Sequence, residues 1–134
     1  MIKTNRLLLL LISHTVLWTS CDCEFNYQFS VINETQTDLS IDFELDTKQR
    51  NVIVKPDEEL TLAITDGFRC GCINCTGGRI NYADSTINYF ISDIKIFRMD
   101  SVQTTTDFNN EYNWEFESKK KLGVYRARID ESDF

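Results

Sequence analysis

Apolar residues recur at every second position through most of this chain, and that period constrains its fold more than any other feature. Phe25, Tyr27, Phe29 and Val31 alternate with polar residues and stop at Asn33-Glu34-Thr35. Leu39, Ile41, Phe43 and Leu45 alternate with Ser40, Asp42 and Glu44. Asn51-Val52-Ile53-Val54 leads into Lys55-Pro56-Asp57-Glu58, a turn signal built on the only proline. Leu60, Leu62 and Ile64 alternate again up to Asp66-Gly67. Ile94 and Ile96 share a parity with Phe90, while Ile91 and Phe97 take the other. Trp114 and Phe116 alternate with Glu115 and Glu117; Ser118 to Lys121 reads as a hairpin turn. Tyr125, Ala127 and Ile129 then alternate with Arg126 and Arg128. A period of two sends successive side chains to opposite faces of a strand, and no stretch sustains the helical period of 3.6. About seven short strands with turns roughly every ten residues predict an all-β fold, an antiparallel β-sandwich over residues 21–134. It is immunoglobulin-like in architecture only, because Trp114 follows every cysteine and the Cys…Trp…Cys order of antibody domains is missing.

Residues 1–20 stand outside this pattern. Lys3 and Arg6 precede an apolar run from Leu7 to Ile12, which continues in diluted form to Trp18. That is an export signal, too short for a membrane span of about 20 apolar residues. The segment ends Leu17-Trp18-Thr19-Ser20-Cys21, which resembles a bacterial lipobox. Trp18 replaces the usual small or aliphatic residue, and Leu17 sits four places before the cysteine. This looser form is similar to that of small lipoproteins of Bacteroides-type bacteria, over about 21 residues. The resemblance implies that the Cys21 thiol receives a diacylglyceryl group and that residues 1–20 are removed. The new amino group is then acylated, with palmitate expected among the chains. Each buried methylene contributes about 0.8 kcal/mol, so several chains anchor stably. The implied partner is the lipid bilayer, and the implied location is the cell envelope, at the periplasmic or surface face of the outer membrane. Asp22 resembles an inner-membrane retention signal of some Gram-negative bacteria. Residues 125–134 resemble the closing strand of other small lipoproteins of this kind.

Removing residues 1–20 takes Lys3 and Arg6 but no acidic residue. The formal net charge moves from −7 to −9 over the remaining 114 residues. An acidic domain repels nucleic acid, so none is expected as a partner. The only histidine, His14, lies in the signal segment. The mature chain therefore has no Ser-His-Asp or Cys-His catalysis and no histidine metal ligand. The expectation is a non-enzyme with no cofactor and no catalytic residue, a binding or assembly module for an envelope protein or glycan. The 21 acidic residues leave carboxylate hydrolysis as a further class, but no spacing singles out a pair.

Four cysteines besides Cys21 bear on chemistry. Cys70-Gly71-Cys72-Ile73-Asn74-Cys75 packs three into one loop, and Cys23 stands alone. An exported chain meets oxidising conditions, so disulfides are the leading reading. Four thiols allow three connectivities. Pairing Cys70 with Cys72 would close a strained ring; Cys72–Cys75 or Cys70–Cys75 would tighten the loop, leaving Cys23 for the other thiol. The alternative is a metal or redox centre on Cys23, Cys70, Cys72 and Cys75. Structural zinc, however, usually draws two separated pairs, and redox C-x-x-C wants a helix behind it. Residues 65–86 form a long loop that hides a short strand near Arg79-Ile80-Asn81-Tyr82 or is functional. Thr76-Gly77-Gly78-Arg79 lacks the Lys-Ser/Thr of a phosphate-binding loop.

Asp107 to Asn113 spaces side-chain oxygens like a calcium loop. Tyr112 and Ser118, though, stand where the glycine and distal glutamate belong, so a polar turn is expected. Asp84-Ser85-Thr86 and Asp100-Ser101-Val102 resemble the O-glycosylation pattern of exported Bacteroides-type proteins, which makes Ser85 and Ser101 candidate glycan sites. Tyr82, Tyr89, Tyr112 and Trp114 are candidates for an aromatic binding surface, with Trp114 expected in the core.

Overall fold

The computed structural model describes residues 23–65, 68–70, 90–119 and 121–134. They form an all-β sandwich of two packed sheets. The first sheet orders β4 (Glu59–Ile64), β1 (Cys23–Asn33), β8 (Leu122–Ile129) and β7 (Glu115–Lys119), and the short β5 (Phe68–Cys70) also pairs with β1. The second orders β3 (Lys48–Val54), β2 (Leu39–Leu45) and β6 (Ile91–Arg98). Seven of these strands have five residues or more, as the alternation predicts. β5 lies inside the stretch expected to be a loop, and three residues are too few to show a period.

One pairing departs from the antiparallel expectation. β1 and β8 run parallel, from Asn26 opposite Leu122 to Asn33 opposite Ile129. The other pairings are antiparallel. The first and last strands thus lie side by side in the middle of one sheet, and both bury their alternating apolar residues. Phe29 stacks on Tyr125, its register partner, at 5.2 Å between ring centroids, and meets the Trp114 ring edge-on at 6.2 Å. Leu39, Ile41, Phe43, Val54, Ile91, Ile94 and Ile96 supply the facing layer.

Two bulges explain where strict alternation fails. Between β2 and β6 the register slips as Asp42 opposite Lys95 becomes Glu44 opposite Ser92. Asp93 and Ile94 together oppose Phe43, with Asp93 at φ 50. The extra residue turns both Ile91 and Ile94 inward despite their opposite parity. Between β1 and β4 the slip falls at Phe29/Ser30, and the neighbours Leu62 and Ala63 are both buried.

The turns follow local chemistry. Leu45 pairs with Lys48 across a two-residue hairpin whose central residues, Asp46 and Thr47, have φ 52 and 62, the type I′ geometry that matches strand twist. Lys55-Pro56-Asp57-Glu58 closes with a Glu58 N–H to Lys55 carbonyl bond of 3.1 Å, and Asp57 has φ 60, as a type II turn on Pro56 requires. Asn33 ends β1 fully buried. Its side-chain amide donates to the Thr37 and Val54 carbonyls at 2.9 Å each and accepts from the Thr35 N–H and hydroxyl. One side chain therefore ties the end of β1 to the end of β3 in the other sheet.

Candidate functional site

Parallel β1 and β8 give the molecule two distinct poles. The first pole holds the start of β1 at Cys23, the end of β5 at Cys70, and the β7–β8 turn flanked by Lys119 and Lys121. Phe90, just ahead of β6, packs on Tyr27 and Phe29. Ile91 pairs with Leu45, so the Asp46-Thr47 hairpin and Lys48 lie at this pole too.

The second pole is acidic. The Asp57 N–H donates to the Asn33 carbonyl, and the Glu34 N–H donates to the Ile129 carbonyl. That brings Glu34, Asp57 and Glu58 beside Asp130, Glu131 and Asp133. Glu131 accepts from Arg98 at 3.1 Å, and Arg98 also meets Asp100 and sits over the Phe134 ring at 4.9 Å. Asp130 caps the one-turn 3-10 helix Glu131–Asp133 and accepts from the Ser132 hydroxyl and N–H. Those hydrogen bonds hold its carboxyl below the usual carboxylate range.

A charged ladder crosses the outer face of the first sheet. Arg126 bonds Glu59 through Nε at 2.9 Å and Glu117 through Nη1 at 2.7 Å. Arg128 bonds Glu34 at 2.6 Å and Glu115 at 3.0 Å. The Arg126 hydrogen bond, with Lys119 adding to it, keeps Glu117 below its ordinary value, and both guanidinium groups are held more firmly protonated by their acceptors. Exposed pairs of this kind favour sheet register more than they add stability.

The sequence candidates divide as follows. Cys21, Cys72, Cys75, Ser85, Tyr82, Tyr89, the signal segment and the strand expected near residue 80 lie outside the described residues. Cys23 and Cys70 are register partners across β1 and β5. Ser101 is exposed in the turn after β6, at φ 68, and its N–H donates to the Arg98 carbonyl at 2.8 Å. Trp114 is 2% exposed and donates through Nε1 to the Phe108 carbonyl at 2.8 Å, so it is core. Tyr112 is 77% exposed.

The stretch from Asp107 to Asn113 is a hydrogen-bonded turn. The Asp107 carboxylate accepts from the Asn109 N–H and side chain, Asn109 bonds both backbone groups of Ile94, and Asn110 caps the one-turn helix Glu111–Asn113. Among the described residues no three histidine, cysteine or acidic side chains gather as a metal site. Among them, too, no helix is long and apolar enough to cross a membrane. The pole structure and the buried Asn33 escaped sequence reading; both depend on which strand ends meet, and the period of two carries no such signal. Comparison with known proteins gave no matching family model, no matching curated protein and no matching solved structure.

Proposed function

We propose that this protein is a cell-envelope lipoprotein: a non-enzymatic sandwich acylated at Cys21 and held at a membrane as a binding or assembly module. The observation that carries the reading is the lipobox-like Leu17-Trp18-Thr19-Ser20-Cys21 behind a short, positively flanked apolar run. Its placement fits: β1 begins at Cys23, two residues after the proposed lipid. The charge distribution agrees with it as well. Lys48, Lys119 and Lys121 lie with Asp46 at the Cys23 pole, and Glu34, Asp57, Glu58, Asp100, Asp130, Glu131 and Asp133 outnumber Lys55 and Arg98 at the far one. An anchor at Cys21 would turn the acidic pole away from the headgroups and toward a partner, an envelope protein or a glycan. The missing histidine in the mature chain supports a binding role over catalysis.

The test is the intact mass and membrane partition of the exported protein. A chain cut before Cys21 and carrying the mass of a diacylglyceryl group plus an acyl chain is the expected result. Cys21→Ala should release the protein from the membrane or leave it as uncut precursor. An unprocessed wild-type mass, or a Cys21→Ala protein that is cut and still membrane-bound, would overturn the reading.

A further inference from the structure

We propose that Cys23 and Cys70 form a cross-strand disulfide that locks β5 to β1. The two are directly opposed in the antiparallel register, followed by Glu24 opposite Arg69 and Phe25 opposite Phe68. Opposed residues on antiparallel strands share a face of the sheet, with Cα atoms about 4.5–5.5 Å apart. A disulfide spans Cα separations of about 4.4–6.8 Å, so the register sets the two backbones at a separation that such a bond can bridge. It also separates three thiols that the sequence leaves equivalent. Among Cys70, Cys72 and Cys75, the one set opposite Cys23 is Cys70.

The position gives the bond a structural task. β5 has three residues and pairs with β1 at the extreme end of the sheet. Moreover, β5 does not simply continue β4. Gln28 pairs with Ile64 and Phe25 with Phe68, so three steps along β1 match four along the partner. A three-rung ladder beyond such a slip frays readily at a sheet end. A covalent link at its last rung removes that opening.

In forming the bond each thiol loses its proton, and the pair gives up two electrons. These pass by thiol–disulfide exchange to an oxidant that itself carries a disulfide, which leaves as two thiols. In the cell the bond depends on the export proposed above. The test therefore begins in vitro, so that the two readings fail separately.

The full chain carrying Cys21→Ser, Cys72→Ser and Cys75→Ser retains only Cys23 and Cys70. Purified and equilibrated with oxidised and reduced glutathione, it should lose the mass of two hydrogens within one chain. It should also resist alkylation at a tenfold excess of the reduced form. Reduction should lower its Tm by at least about 5 °C. Quantitative alkylation of both thiols in the folded, glutathione-equilibrated protein would overturn the proposal. The wild-type exported chain supplies the second arm and guards against a variant that does not fold. Non-reducing tryptic digestion should yield the peptide Cys70–Arg79 joined to the peptide containing Cys23, with fragmentation assigning the bond to Cys70. Assignment to Cys72 or Cys75, or zinc bound at one per chain, would also overturn it. Free thiols in the exported chain beside an oxidised purified variant would sink the export reading and leave the pairing standing.

Discussion

Gly123 shows how one missing side chain organises the core. It sits opposite Tyr27 in the parallel ladder, and a Cβ built there would meet the Tyr27 ring at 2.7 Å and the Phe116 ring at 2.8 Å. Neither ring can easily retreat, because Tyr27 touches Phe90 and Tyr125, and Phe116 lies 4.8 Å from Tyr125. Gly123→Ala should therefore lower stability by about 1–3 kcal/mol, read as a lower urea midpoint at unchanged slope. Relief of backbone entropy in the unfolded chain would offset about 0.4–1 kcal/mol of that. An unchanged or higher midpoint would mean that the rings repack. The need for glycine here was not legible in the sequence, where Leu122-Gly123-Val124 reads as a turn giving way to a strand. The clash comes from Tyr27, nearly a hundred positions earlier. Asn33 hid for the same reason: it reads as a strand-ending polar residue, yet one of its acceptors is the carbonyl of Val54. Trp114, by contrast, was legible as core, since its parity with Phe116 and their alternation with Glu115 and Glu117 pointed one way.

Strands were legible where alternation ran unbroken, as in β2, whose predicted and observed bounds coincide. Where a bulge inserted a residue, as at Asp93-Ile94, the pattern split into two parities. The sequence then showed apolar positions without showing that both Ile91 and Ile94 face inward. The alternation of Arg126 and Arg128 with apolar residues marked the outer face of β8. The glutamates that meet them come from β4, β7 and the β1 exit, and no local pattern specifies that. The ladder, through Glu117, and the Asp130 cap at the acidic pole give the protein an acid-sensitive component. Glu117 and Asp130 have folded values below their ordinary ones. Between those values and the ordinary ones the unfolded chain holds more protons than the folded chain, so stability rises with pH across that window. The contribution is complete above the ordinary carboxylate range and is lost as the pH falls through the folded values. Urea midpoints from about pH 6 down to about pH 3 should decline more in the wild type than in Glu117→Gln. Comparing the two removes the relief of repulsion among the other acidic residues. Parallel curves would show that the Arg126–Glu117 pair carries no such linkage.

For the whole molecule, the all-β sandwich was legible because β1, β2 and β8 alternate apolar residues that the core buries with polar ones that stay wetter. The parallel neighbours β1 and β8 were not legible, since alternation is blind to strand direction. The candidate site was legible only in part. Among the described residues Cys23 and Cys70 mark the first pole, and that they stand opposite each other is visible only in the register. The poles make the proposed anchoring measurable. The two residue steps from Cys21 to Cys23 reach at most about 7 Å, and an eleven-residue strand runs about 36 Å. Neutron reflectometry of the acylated protein on a supported bilayer should find protein density starting within about 10 Å of the headgroups. A wide water gap, or a layer too thin for an upright sandwich, would contradict that placement. The parallel ladder has a mechanical consequence as well. β1 enters at one pole and β8 leaves at the other, so tension between the two ends of the domain draws these strands past each other along their length. The rungs from Asn26–Leu122 to Asn33–Ile129 then bear the load side by side and must yield together. Strands peeled apart from one end would instead yield singly. A domain tethered at Cys21 and pulled through its C-terminal end is loaded in its strong direction.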